Sequence, residues 1–323
     1  MPKKSKLPLI VFLVILTGLA GFAFSKRALI SDYLAATAYS PTSEMIKIRS
    51  SLGLTNRGTL IFNATHPRLD SRDEFNFDCD SSDPDIAVYG CYTSDRIYIY
   101  NIDNPELSGF REATTAHELL HAVWYRLPLS EKNNLIPLLE TVYSENKSLL
   151  EEDLENYPDS ERIDELYVRA ATQIKSLPAE LEAHYSKIFS DQDRIVDFYL
   201  SYIAPFEELE KKIESLGAEL ESEKAIIDQK TAEYESRSDI FNREVDEFNS
   251  CAETAGCFSS NYEFNLRRNE LLNTASDLDA LYAELGNLID AYNIKIDEYN
   301  SNILHNNTLQ NLVNSNSKPE DLN

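Results

Sequence analysis

Thr114-Thr115-Ala116-His117-Glu118-Leu119-Leu120-His121-Ala122-Val123-Trp124-Tyr125 is the stretch that decides how the chain is read. His121 follows His117 by four positions, so on a helix both imidazoles leave the same face and reach one metal ion. Glu118 lies one position round, where its carboxylate can meet a water on the ion's fourth site. Ala116, Leu119, Leu120, Val123 and Trp124 occupy the positions of a half-buried face. The stretch predicts a Zn2+ site on a core helix, with His117 and His121 as ligands and Glu118 as general base.

The composition fits a helical protein of some size. The chain has 323 residues, 42% hydrophobic, enough for one good core and an elongated element besides. A formal net charge of −25 makes nucleic acid an unfavourable partner. Nine glycines and twelve prolines suit long helices. Residues 1–6 carry three lysines, and Leu7 to Phe24 is an uncharged apolar run just long enough to span a bilayer. This predicts a cytoplasmic tail (1–6), a transmembrane anchor (7–24) and a single-pass membrane protein with its bulk extracytoplasmic. Cleavage near Ala20 to Ala23 as a signal peptide is the alternative. The four cysteines form two local couples, Cys79 with Cys91 and Cys251 with Cys257, which in an exported chain read as disulfides.

Upstream of the His-Glu-His stretch, Ser40-Pro41-Thr42 starts a helix that Gly53 stops. Thr59-Leu60-Ile61-Phe62, Ile86-Ala87-Val88-Tyr89 and Arg96-Ile97-Tyr98-Ile99-Tyr100 read as strands, the last two joined through Gly90 to Asp95 as a hairpin. The polar segment Ser71 to Pro84 reads as a surface loop. Downstream, the absence of histidine from Ala122 to Ser130 makes a carboxylate the expected third ligand. Glu165 sits on a short apolar helix with Ala170 and Ala171, small enough to approach the metal helix closely. Glu182, on the amphipathic helix read from Pro178 to Tyr199, is the alternative.

His-Glu-x-x-His with a downstream Glu resembles the gluzincin metallopeptidases. Residues 40 to 200 resemble, more closely, an uncharacterised family of membrane-anchored bacterial proteins with that motif. The likeness is carried by Ser40-Pro41-Thr42, Gly90-Cys91-Tyr92, Arg96-Ile97-Tyr98, the stretch Thr115 to Ala122, Asp164-Glu165-Leu166 and Leu177 to Glu182 with His184-Tyr185. It implies Glu165 as third ligand, and the chain departs from it at Ala171-Thr172-Gln173, where the family has Gly-Thr-Glu. The site itself predicts peptide-bond hydrolysis by a zinc-bound water, with Tyr167, Arg169, His184 or Tyr185 as donor to the oxyanion.

Past Pro205 the apolar residues fall into two seams. The first includes Leu209, Leu216, Ile227, Tyr234 and Phe241; the second includes Leu278, Leu281, Leu285 and Leu288. Cys251 to Cys257 lies between them. This predicts an antiparallel coiled-coil hairpin about 60 Å long over residues 205–305, acting as a plain structural arm or as a docking element for an envelope protein. The tail 306–323 reads as disordered. The expectation is an α+β chain: a mainly helical zincin-like domain (28–204) with a small antiparallel sheet, followed by the hairpin. Its expected activity is that of a membrane-anchored zinc peptidase acting on a peptide or protein. Amide hydrolysis in peptidoglycan peptides, and a non-catalytic envelope scaffold with a structural or vestigial metal site, are the alternatives.

Overall fold

The computed structural model describes residues 27–79, 89–155 and 157–316. They divide into two compact units. One comprises the residues up to Pro205 together with those from Leu309 on; the other is Phe206–Thr308. The chain is mainly helical with one small sheet and two long C-terminal helices, as expected of the α+β class.

The first unit opens with α1 (Arg27–Ala38), α2 (Ser43–Ser51) and α3 (Asn56–Ala64). Thr42 caps α2 by accepting from the Met45 amide at 3.2 Å, and Gly53 follows the helix in the left-handed region. α3 occupies the segment read as a strand at Thr59 to Phe62. Thr55 caps it through the Gly58 amide at 3.1 Å, and helical winding buries Ile61 and Phe62 together. Capping and burial outweigh the β-propensity of that short apolar run.

The sheet is mixed, in the order β1-β3-β2, where an antiparallel one was expected. β1 (Arg68–Asp70) runs parallel to β3 (Arg96–Tyr100), pairing Leu69 with Ile99. β2 (Gly90–Thr93) runs antiparallel to β3, pairing Cys91 with Tyr98. β3 is the strand expected at 96–100, while its hairpin partner begins at Gly90, four residues later than expected. Ser94 and Asp95, both at positive φ, make a two-residue turn whose twist suits adjacent strands. Of the expected strand at 86–89, residues 86–88 lie outside the described residues. The expected loop from Ser71 contains α4 (Arg72–Asp78), begun by a reciprocal Ser71–Glu74 capping box and tied to β2 by the Cys79–Cys91 disulfide.

α5 (Phe110–Arg126) is the central helix, packed between β2–β3 and α8. Ala116, Leu119, Leu120, Ala122 and Val123 are fully buried on it. α6 (Leu129–Glu145), α7 (Lys147–Glu155), α8 (Asp159–Gln173) and α9 (Ala179–Tyr185) follow. The helix expected from Pro178 to Tyr199 is broken after Tyr185. The intervening chain buries Ile188 and Phe189 and pairs with the segment after α2, through Thr55 N–H to Ile188 O at 2.9 Å and a bridge between Leu54 and Phe189. α10 (Gln192–Glu253) then runs through Pro205 without interruption.

α11 (Asn261–Val313) continues eight residues beyond the expected end of the hairpin at 305. Leu309 and Val313, one turn apart, are buried in the first unit, and Asn76 donates to the Ser315 carbonyl at 2.9 Å. That pair of apolar residues, hidden in an Asn/Ser-rich segment, gives the helix something to bury. Residues 317–323 lie outside the described residues.

In the second unit α10 and α11 pair antiparallel. Lys230 meets Glu284 at 2.8 Å, Lys295 meets Glu219 at 2.7 Å, and Tyr234 packs on Tyr282. Phe248, Phe258 and Phe264 cluster beside the Cys251–Cys257 disulfide at the tip.

Among the described residues no helix is long and apolar enough to cross a membrane. The expected tail (1–6) and anchor (7–24) lie outside the described residues. The expected single-pass placement with an extracytoplasmic bulk thus finds no support among the described residues.

Candidate metal centre

Two helices supply the centre. α5 presents His117 and His121 one turn apart, with their Nε2 atoms 3.2 Å from each other. α8 brings Glu165 beneath them, its Oε2 at 3.7 Å from His117 Nε2 and 3.4 Å from His121 Nε2. One donor atom from each of the three lies within 4.8 Å of the other two. Glu182, the alternative third ligand, is exposed on α9.

The donor set fits a divalent cation. Glu165 is 1% exposed, and its Oε2 is buried without a hydrogen-bond partner. A buried carboxylate oxygen in that state is costly, and a cation at the point where the two Nε2 lone pairs converge would satisfy it. Two imidazoles and one carboxylate supply three donors for such a cation.

The supporting contacts fix these orientations. Asp164 Oδ1 lies 3.0 Å from His121 Nδ1 and accepts from it, which leaves Nε2 as the nitrogen turned toward Glu165 and a metal. Arg169, one turn along α8, donates to Glu165 Oε1 at 2.5 Å and leaves Oε2 turned to the histidines. Burial works against the Glu165 carboxylate, yet His117, His121 and Arg169 hold its pKa well below the usual range. For His121 burial again opposes the charge, but Asp164 and Glu165 raise its pKa to about 10. The cluster is therefore built for positive charge.

Glu118 is 5% exposed, and burial raises its pKa despite the two neighbouring histidines. β2 passes directly over it at Gly90, where a Cβ would come within 2.8 Å of Glu118 Cγ. Only a glycine lets the strand approach so closely.

Asp164 and Gly90 were not legible as site residues. Asp164 has a faint signal, since it immediately precedes the ligand Glu165 on the same helix. Asp164→Ala is expected to weaken zinc binding 10- to 100-fold with little change in fold, measured by competition with a chromophoric chelator. Unaltered affinity would mean that the ring is oriented by something else.

Tyr167, His184 and Tyr185 face away from the metal helix's histidines. Tyr167 follows Glu165 by two residues and so points to the other side of α8. Its hydroxyl bonds His184 Nε2 at 2.9 Å, Tyr185 donates to the Tyr167 carbonyl at 2.7 Å, and Trp124 stacks on the Tyr167 ring. The three lock α8 to α9. Glu131 lies 3.3 Å from His184 Nδ1.

Burial depresses the His184 pKa to about 4, against 6.5 unperturbed. The unfolded chain therefore binds more protons between those values, and stability falls as pH drops from about 6.5 to 4. In the metal-free protein His184→Gln should remove about 3 kcal/mol of that acid sensitivity, read as a flatter pH dependence in urea unfolding. A slope equal to wild type would contradict a neutral His184.

The family model that matches is described as "Mis14: Kinetochore protein Mis14 like" and covers residues 147–243. This is less than a third of the chain. It takes in Asp164, Glu165 and part of α10, and excludes His117, Glu118 and His121. No curated protein and no solved structure matches. The likeness is to a kinetochore protein family and not to a zinc metallopeptidase family, which overturns the expected gluzincin resemblance. With it the expected peptidase activity, the general-base role of Glu118 and the hydrolase and metalloprotease class are corrected. What the likeness points to is protein partners, with no support for a peptide substrate or a membrane.

Proposed function

We propose that the chain is a non-catalytic scaffold that engages protein partners through its hairpin, with a structural zinc ion at His117, His121 and Glu165 holding its helical domain together. The observation that carries this reading is the dress of the hairpin. Leu209, Leu278, Leu281 and Leu285 are buried in its seam, while Ile226, Ile240, Leu266, Leu272 and Tyr282 stay between 44% and 64% exposed. Two helices have too little surface to cover such residues, and apolar positions left in water along an extended arm mark a surface for another protein. The likeness of residues 147–243 to a kinetochore protein family agrees with a binding role.

Zinc serves the scaffold by joining α5 to α8. When bound it supplies folding energy, since the ligand set does not exist in the unfolded chain. Asp164 and Arg169 contribute by presenting the right atoms of His121 and Glu165.

A photo-crosslinking residue placed at Leu272, Tyr282 or Leu129 of the full chain in its source cells tests the reading. Scaffolding predicts discrete adducts of a single partner from the two hairpin positions and none from Leu129, which is the most exposed of the three and lies in the first unit. Adducts from Leu129 alone would contradict it.

A further inference from the structure

The ion pairs that join the two helices lie along the seam itself: Lys230 meets Glu284 at 2.8 Å and Lys295 meets Glu223 at 2.6 Å. Glu223 and Lys230 follow the seam residue Leu216 by one and two seven-residue steps, and Lys295 follows Leu288 by one.

One flank of the seam is open. Seven-residue steps along α11 put Ala275, Tyr282, Ile289 and Ile296 there, with Tyr282 and Ile289 each one position after a seam residue, Leu281 and Leu288. Tyr282 is 64% exposed and Ile289 39%. Gly286 lies between them, and a Cβ on it would meet nothing within 4 Å. In an antiparallel pair the corresponding side of α10 is one residue past its seam, at Glu221, Asp228 and Glu235. Among the described residues no ion pair crosses this flank; Asp228 pairs with Lys224 on its own helix at 2.7 Å. The groove thus has an apolar wall on α11 and a carboxylate wall on α10.

We infer that this flank, with Tyr282, Gly286 and Ile289 on one wall and Glu221, Asp228 and Glu235 on the other, docks a basic amphipathic helix of a partner protein, completing a three-helix bundle. The inference rests on the scaffold reading and names the partner chemistry. Charge selects the occupant. Phe206–Thr308 carries 23 Asp and Glu against nine Lys and Arg, so a second copy of the chain would bring like charge to the carboxylate wall. A helix with apolar residues at three- and four-residue spacing and Lys or Arg beside them satisfies both walls. The small Gly286 lets its backbone come close.

The probe is a synthetic 28-residue peptide with Leu at that spacing and Lys elsewhere, beside a scrambled peptide of equal charge. Binding to the full chain is measured by fluorescence anisotropy at physiological salt. The amphipathic peptide should bind at least tenfold more tightly than the scrambled one. The double variant Tyr282→Ser with Ile289→Ser should lose at least tenfold of that binding at unchanged helix content, and Glu284→Ser on the opposite flank should leave it intact. Equal binding of the two peptides, indifference to the Tyr282 and Ile289 changes, or a dimer that those changes dissolve would each overturn the assignment. Crosslinks from Leu272 or Tyr282 that persist after such a result would keep the scaffold and discard the basic helix as its partner; their absence as well would remove both.

Discussion

Chelating zinc from the full chain is expected to lower its unfolding temperature by roughly 8–16 °C. A ligand present at a thousandfold its dissociation constant stabilises by about 4 kcal/mol, and each kcal/mol moves a unit of this size by about 2–4 °C. The reason lies at Glu165. Without a cation its Oε2 is buried and unpartnered, two imidazole nitrogens converge at 3.2 Å, and α8 loses a bond to the central helix. Arg169 offsets part of the carboxylate's charge through Oε1, so the domain does not unfold outright when the metal leaves. His117→Ala and Glu165→Ala should abolish both zinc binding and the zinc-dependent shift. Glu182→Ala should change neither, since that carboxylate is exposed on α9. Metal analysis of the purified variants, alongside thermal melts, checks each statement. A wild type whose melt ignores zinc would remove the structural role of the ion.

Gly109→Ala is expected to cost roughly 3 kcal/mol or more and to weaken zinc binding with it. Gly109 begins α5 at φ +90, where a side chain is strained, and an added Cβ would sit 2.4 Å from the Phe198 carbonyl oxygen at the start of α10. Backbone cannot yield as a flexible side chain does. The helix start must move, and the histidines two turns on move with it. Urea unfolding and zinc affinity measured on the same preparation separate this from a local effect: both should fall. Stability and affinity equal to wild type would mean that α5 is positioned from its C-terminal end, by Arg126 and its ion pair with Asp32 at 3.0 Å.

Much of the site was readable from the chain because its chemistry is local. His117 and His121 share one helix face by spacing alone, and Glu165 stands on a helix whose small neighbours allow close approach. The two disulfide couples are likewise short-range, and both are formed. What failed was set at longer range. Thr59 to Phe62 has strand-forming residues, but the Thr55 cap and the burial of Ile61 and Phe62 wind it into α3. β1 is three residues long and pairs in parallel with a strand nearly thirty residues away, which no local pattern announces. The break after Tyr185 depends on pairing with Leu54 and Thr55, over a hundred residues upstream. Asp164 and Gly90 belong to the site through contacts between elements, so their roles appear only once α5, α8 and β2 are assembled.

Function was less legible than fold, since one metal-binding pattern serves both chemistry and structure. The expected peptidase rested on Glu118 beside the histidines; the family likeness of residues 147–243 and the exposed apolar dress of the hairpin support a binding protein instead.

The most direct measurement is made on the zinc-loaded full chain and its Glu118→Gln variant, with zinc content, thermal shift and cleavage of a mixed peptide library read on the same samples. A structural ion predicts about one zinc per chain in both, the same zinc-dependent rise in unfolding temperature, and no difference in peptide cleavage. Cleavage by wild type that disappears in Glu118→Gln while zinc is retained would contradict the non-catalytic scaffold.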